Sequence, residues 1–245
     1  MNAELTLSHE LRTEDVDLTC RLTVPGLTSL FQRMATYHGR ELGVDFDTLL
    51  STSNAYWVVA KIRLLFTGEA RFGDTVTACT WPLPPVRAAF DREMQVTGAD
   101  GSPLAAVSSE WCVLDWDTHR LRKADTTCFP TDLDFRTDAV VAGEFLRIDR
   151  KVEGMTHCFD HTVRYSDLDM NRHTNNVVYT RLAMDTFPAA WLEERPVKWF
   201  EIHFLRESHE GDTLHLYRQE REDGVRIVGT KGETDEAVFA ACVGF

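Results

Sequence analysis

The sequence predicts an α+β protein made of two copies of one unit. Three observations carry this. A helix-period stretch near the start is followed by several strand-period stretches, the order of a helix packed on one antiparallel sheet. That order returns in the second half of the chain. Two short motifs also recur, once in each half and in the same sequence, as a duplication requires.

The elements follow in order. Residues 5–12 and 16–24 read as short strands around the acidic turn Glu14-Asp15. Pro25-Gly26 opens a helix whose apolar residues Leu27, Leu30, Phe31, Met34 and Ala35 fall on one face. Gly43 is a natural stop. Strands are expected at 55–66, 75–81, 90–96 and 105–116, with Gly98-Ala-Asp-Gly101 as a hairpin turn between the last two. Residues 124 to about 152 have little periodicity and read as a connection held against the surface by Phe129, Phe135 and Phe145. In the second half a strand is expected at 159–166, a helix at about 176–191, and strands at 197–206, 213–220, 225–231 and 236–244. The domain division is 1–138, a linker at 139–152, and 153–245.

The repeat aligns without gaps. Glu14-Asp-Val-Asp-Leu-Thr-Cys-Arg21 matches Ser166-Asp-Leu-Asp-Met-Asn-Arg-His173, and Glu69-x-x-x-Gly73-Asp74-Thr75 matches Glu207-x-x-x-Gly211-Asp212-Thr213. The copies differ where chemistry is concerned. Asn171 and His173 stand where the first half has Thr19 and Arg21. One working site per chain, in the second half, is the expectation.

Composition narrows the classes. The chain is 43% hydrophobic and 27% charged, an ordinary globular balance. Its net charge of -13 argues against a nucleic-acid partner. It has no apolar run of roughly 18 residues, so no membrane span is expected. The start shows no basic region followed by an apolar one, and the six cysteines form no C-x-x-C, so reduced thiols in a cytoplasmic setting are expected.

The stretch 164–187 concentrates the polar chemistry. Asp167, Asp169, Asn171, His173 and Asn175 alternate along it. Read as an extended segment, residues two apart share a side, so Asp169, Asn171 and His173 converge ahead of a helix N-terminus. Asp167 reads as a turn residue, and Asn175 and Asn176 as helix-entry residues first and ligands second. His157-x-x-x-His161 shares a strand face but lacks a third ligand, so no metal site is expected there. The sequence has neither a G-x-S-x-G elbow nor a glycine-rich phosphate loop.

The string Asp-Leu-Asp-Met-Asn-Arg-His-Thr-Asn-Asn-Val-Val-Tyr resembles the active-site segment of plant and bacterial acyl-acyl-carrier-protein thioesterases, and Glu207-x-x-x-Gly-Asp resembles that family's second signature. Asn54-Ala-Tyr-Trp-Val, Trp111-Cys-Val-Leu-Asp and Thr118-His-Arg-Leu-Arg-Lys extend the resemblance over nearly the whole chain. It implies two fused hotdog domains, each a long helix wrapped by an antiparallel sheet. It implies hydrolysis of fatty acyl-acyl carrier protein without a cofactor, and a catalytic set at Asp169, Asn171, His173 and Glu207. It also implies that the first domain accommodates the acyl chain, with Phe31 and Trp57 among the residues that could line it. The sequence departs from many plant members at Ser208, where they carry a cysteine, which excludes a thiol nucleophile there. The plants' plastid-targeting extension is missing, which points to a bacterial member.

Thioester hydrolysis needs a base for water and donors for the developing oxyanion. Glu207 is the leading base, with Asp169 as the alternative; His173 positions or polarises, and Asn171 binds water or the carbonyl. The expected partner is acyl carrier protein, which is acidic like this chain, so docking requires a local basic patch. Arg120, Arg122 and Lys123 form one such cluster and Arg147, Arg150 and Lys151 another. An acyl-CoA thioesterase of the same fold and a non-catalytic acyl-thioester binder are the alternative functions, and a monomer or homodimer the alternative assemblies.

Overall fold

The computed structural model describes residues 2–232 and 236–245. The first strand, β1 (Leu5–Glu10), is followed by a long helix, α1 (Val24–Glu41). Thr23 caps α1 by accepting the Gly26 amide, and proline occupies its first turn. Its apolar face, including Leu27, Leu30, Phe31 and Met34, is buried.

The strand expected at 16–24 does not form. Asp17 Oδ1 accepts the amides of Thr19 at 2.8 Å and Arg21 at 3.2 Å, closing a tight loop. A short acceptor side chain that captures its own backbone competes with strand pairing in this way. A second helix, α2 (Phe46–Ser53), escapes the periodicity reading because only Leu49 of it is buried. Asp45 caps it, accepting the Thr48 amide at 3.1 Å.

Strands β2 (Ala55–Phe66), β3 (Thr75–Pro82), β4 (Phe90–Thr97) and β5 (Pro103–Asp115) complete the first unit, with the short β6 (Leu121–Arg122) beside β5. In the second unit β7 (Thr156–Thr162) stops four residues before its expected end. Helix α3 (Asn176–Met184) is also shorter than expected, and a separate α4 (Ala189–Glu194) follows. Pro188 explains the break, because the residue before a proline is pushed out of the helical region. Strands β8 (Trp199–Phe204), β9 (Thr213–Arg221), β10 (Gly224–Lys231) and β11 (Glu236–Gly244) lie close to their expected positions.

Among the described residues all strands join one 11-stranded sheet in the order β1-β3-β4-β5-β2-β8-β11-β10-β9-β7, with β6 off β5. Counted outward from its centre, each half has the same arrangement. The halves meet through β2 and β8, antiparallel from Lys61↔His203 to Leu65↔Trp199. Helices α1 and α3 pack on each other, and one apolar core joins them to strands of both halves. This is the double hotdog.

The connection is a strap across the opposite face of the sheet. Trp81 donates to the Asp138 carbonyl at 3.1 Å, and Glu93 accepts the Val140 amide at 3.0 Å. Arg63 donates to the carbonyls of Ala142, Gly143 and Glu144. Glu201 accepts the Leu146 amide at 2.6 Å, and Arg226 reaches the Asp149 carbonyl at 3.1 Å. Ile62, Leu64, Phe200 and Ile202 belong to the helix-side core, so Arg63 and Glu201 point away from it by strand alternation.

One buried group on α1 makes stability depend on pH. Burial first, and the Arg92 charge second, depress His38 from 6.5 to about 4. The folded state therefore keeps His38 neutral while the unfolded chain takes up a proton. This contribution is complete above pH 6.5 and is lost as pH falls toward 4. Glu93, raised to about 6 by burial, acts in the opposite sense between 4.5 and 6. Comparison with His38→Gln isolates the histidine. Between pH 7 and pH 5 the wild type is expected to lose about 2 kcal/mol relative to the variant in urea unfolding, from ~1.5 pH units of unequal protonation.

Candidate active site

The stretch around His173 is a turn, not the extended segment expected. Tyr165–Asp167 forms a single 3-10 turn, and Leu168 bridges to Thr174. Between them Asp169 Oδ1 accepts the amides of Asn171 at 2.8 Å and His173 at 3.4 Å, while the Asp169 amide donates to the His173 carbonyl at 2.9 Å. Arg172 takes a left-handed φ of 64° to close the loop. The first half repeats this geometry. Asp17 collects the amides of Thr19 and Arg21, its own amide donates to the Arg21 carbonyl at 3.0 Å, and Cys20 has φ 62°. Asp169 is thus a loop builder by the same bonds that Asp17 makes in the copy without Asn or His.

The second motif repeats as closely. The Thr174 amide donates to the Ser208 carbonyl, as the Leu22 amide does to that of Ala70. Gly73 and Gly211 take φ 84° and 90°, a region glycine enters without strain. Their loops are closed by Asp74 and Asp212, which accept the amides of Arg71 at 2.7 Å and His209 at 2.9 Å. This loop brings Glu207 over the histidine turn. Its Oε1 lies 3.5 Å from His173 Nδ1. The carboxylate has no other side-chain partner among the described residues, and its side chain is 43% exposed.

The neighbours are distributed by role. Asn171 is half-buried, and its Oδ1 is enclosed without a hydrogen-bond partner among the described residues. Asn175 is the N-cap of α3, accepting the Val177 amide at 2.9 Å. Asn176 is the first helical residue, and its amide has no partner among the described residues. Ser208 is fully buried and bonded to Thr174 Oγ1 at 2.7 Å and to the Tyr179 hydroxyl at 2.8 Å. That network joins the Glu207 loop to α3 and encloses the hydroxyl. Asp167 is a structural group, bonded to His161, the Arg164 amide and Arg181. These contacts hold its carboxyl below the usual value although burial pushes it up. Asp15 and His9 repeat the His161–Asp167 contact in the first half.

Two neighbours of the site are not legible in the sequence. His209 lies with its ring 4.9 Å from that of His173, nearly perpendicular. Tyr56, on β2 of the other half, feels the Glu207 charge, which together with burial raises its phenol above the ordinary range.

In the first half the corresponding positions are closed by salt bridges and hydrogen bonds. Arg21 Nε donates to Thr19 Oγ1 at 2.6 Å, and its Nη2 reaches the Leu192 and Glu193 carbonyls at the end of α4. Glu69 pairs with Arg71 at 2.5 Å. Phe31 and Trp57 lie inside the first half, each against Trp111, at 6.2 and 6.3 Å between ring centroids. The Trp57 indole donates to the Val44 carbonyl. The cysteines are unpaired, and burial pushes Cys112 and Cys242 up to about 11, as inert thiols.

A duplicated helix-and-sheet unit, with one Asp-x-Asn-x-His turn facing a glutamate, defines an asymmetric double hotdog protein. Residues 4–127 match the acyl-ACP thioesterase N-terminal domain and residues 151–238 the acyl-ACP thioesterase C-terminal domain. The chain belongs to the acyl-ACP thioesterase family. It is 22% identical over 216 residues to a chloroplastic acyl-acyl-carrier-protein hydrolase of Cuphea viscosissima, an alignment covering 84% of this chain and 52% of the relative. It is 22% identical over 244 residues to oleoyl-acyl carrier protein thioesterase 1 of Arabidopsis thaliana, covering 92% of this chain and 67% of the relative. The chain thus spans about half to two thirds of these curated relatives. The crystal structure of an acyl-ACP thioesterase from Bacteroides thetaiotaomicron superimposes with a TM-score of 0.89 at 22% identity, covering 98% of this chain and 97% of that one. At that identity the likeness establishes the fold.

Proposed function

We propose that the chain hydrolyses fatty acyl-acyl carrier protein to free fatty acid and carrier protein. The observation that carries this reading is the asymmetry of two otherwise matching loops. Only the second offers an amide and an imidazole beneath a glutamate whose charge meets no lysine or arginine side chain among the described residues. In this reading Glu207 removes a proton from water as the oxygen attacks the thioester carbon. The Asn171 side chain binds that water or the thioester carbonyl, and His173 keeps the carboxylate and water aligned. The Asn176 amide at the start of α3 stabilises the oxyanion. Collapse breaks the C–S bond, and the proton held by Glu207 passes to the leaving thiolate. Asp169 positions the turn and takes no proton. Phe31, Trp57 and Trp111 mark the side of the first half where the acyl chain lies, and Asn175 orients the head group beside its cap. The cytosol is the proposed location, consistent with unpaired cysteines.

Docking of the acidic carrier is proposed at Arg150 and Lys151. These line a groove of about 710 Å³ that also holds Glu153 and Arg206, the latter, the residue before Glu207, paired with Glu236 at 2.7 Å. In the other cluster, Arg122 is already paired with Asp115 at 2.9 Å. The double variant Arg150→Glu/Lys151→Glu is expected to raise KM for acyl-acyl carrier protein by about tenfold, since a like charge replaces an attraction. A short acyl-N-acetylcysteamine thioester should show little change.

The reading itself is tested by mixing the chain with acyl-acyl carrier proteins of graded chain length and measuring free thiol and fatty acid. Release of both in equal amounts supports it. Faster turnover of acyl-CoA at equal chain length would favour the CoA thioesterase. Acyl binding without turnover would identify a binder.

A further inference from the structure

We propose that His173, Glu207 and His209 form a zinc site over the candidate active site, and that its occupancy holds hydrolysis off reversibly. The inhibitory half rests on the reading of Glu207 as the base.

Three potential ligand atoms converge here, and one pair has the spacing of zinc ligands. His173 Nδ1 and Glu207 Oε1 stand 3.5 Å apart. That is long for a hydrogen bond, which runs to about 3.2 Å. Two ligand atoms each about 2.0–2.2 Å from a tetrahedral zinc stand roughly 3.3–3.5 Å from one another. His209 supplies the third donor, and one ligand atom from each of the three residues lies within 4.8 Å of the others. Two imidazoles and a carboxylate with a fourth position open is an established zinc ligand set.

The backbone holds these ligands. His173 ends the Asp169 turn. The His209 amide is fixed on Asp212 at 2.9 Å, and the Glu207 carbonyl accepts from Lys231 at 2.9 Å. Lys231 therefore meets the Glu207 backbone and the Asp212 side chain, and leaves the Glu207 carboxylate to the histidines.

The duplicated half supplies an independent argument. Where the second half has His173, Glu207 and His209, the first has Arg21, Glu69 and Arg71. There the glutamate's charge is met by a built-in cation, Arg71, at 2.5 Å. The second half replaces both arginines by imidazoles, which carry lone pairs when neutral. It thus exchanges a covalently attached cation for a place that a bound one can fill.

A second trio is different. Asp160 Oδ1 already accepts from His157 Nε2 and from His215 Nδ1, both at 2.7 Å, so its donors and acceptor satisfy each other. It serves as the background control.

Zinc at the proposed site would take up the Glu207 lone pair that removes the water proton and the His173 nitrogen that aligns it. Calorimetric titration of ZnCl2 into the full chain carrying His157→Gln, which breaks the second trio, is expected to show one zinc bound per chain. Adding His209→Gln should weaken that binding by roughly 10–100-fold or more, the scale on which even outer partners of metal ligands count. Hydrolysis by the His157→Gln chain should fall by at least about tenfold when zinc saturates it and return with chelator, as loss of a general base requires. The with-zinc to without-zinc ratio of the double variant should stay near one at the same concentration. Circular dichroism confirms that each variant is folded. Equal zinc affinity with and without His209 overturns the site. Binding that depends on His209 but leaves hydrolysis unchanged overturns the inhibition. Binding that depends on His209 in a chain with no hydrolysis at all supports the site and overturns the hydrolase reading.

Discussion

Replacing Glu207 by glutamine is expected to lower kcat for acyl-acyl carrier protein by about 10²–10⁴-fold, the usual contribution of a positioned general base, with KM little changed. The substitution keeps the size of the side chain and removes only its basicity. Few interactions are disturbed, because among the described residues the carboxylate pairs only with His173, and its side chain is 43% exposed. The fold is held by the backbone of this loop and by buried Ser208, neither of which the substitution touches. Steady-state kinetics by thiol release read the effect, and an unchanged kcat would remove Glu207 from the mechanism.

Glu201→Ala is expected to cost the fold about 3 kcal/mol, up to about 5, because it leaves the Arg63 guanidinium, whose side chain is only 12% exposed, without its counter-charge. Glu201 is fully buried and bonded to Arg63 Nε at 2.5 Å, His203 Nε2 at 2.9 Å and the Leu146 amide at 2.6 Å. It sits directly opposite Arg63 across the strand pair that joins the halves. One substitution therefore weakens both the central seam and the strap that crosses it. For a chain of this size the loss corresponds to a fall in Tm of about 10 °C, within a range of ~6–20 °C. The double variant Glu201→Leu/Arg63→Met should recover most of it, since removing both charges avoids the orphan. Burial pushes the Glu201 carboxyl up, but His203, Arg63 and the Leu146 amide outweigh it and leave the value below 4.5. The contribution is therefore present above pH 4.5 and lost as pH falls through the lower folded value. Thermal melts of the two variants at neutral pH, and of the wild type down to pH 3, measure this.

The duplication was legible because two motifs recur in order, and the structure shows the reason. Asp17 and Asp169 make the same bonds, as do Asp74 and Asp212. Strand and helix positions were legible wherever apolar residues alternate or recur at helical spacing. What failed was local and polar. The alternation around Asp169 mimics an extended segment, yet it arises because one carboxylate captures the amides two and four residues on. Helix α2 buries a single leucine and leaves no periodic signal. The β2–β8 seam was hidden because both strands are apolar on alternate residues, which does not reveal a partner. The Arg63–Glu201 pair spans 138 positions and His209 meets His173 only across two loops, so neither leaves a local pattern. The asymmetry between Thr19–Arg21 and Asn171–His173 was legible, and it is the chief chemical difference between two otherwise matching loops.

The central claim is that only the second of two matching loops performs chemistry. Glu69→Gln and Glu207→Gln test it when measured side by side on the same acyl-acyl carrier protein. Rates within about twofold of wild type for Glu69→Gln, beside the loss of about 10²–10⁴-fold for Glu207→Gln, are the predicted result. Equal losses in the two variants would contradict it.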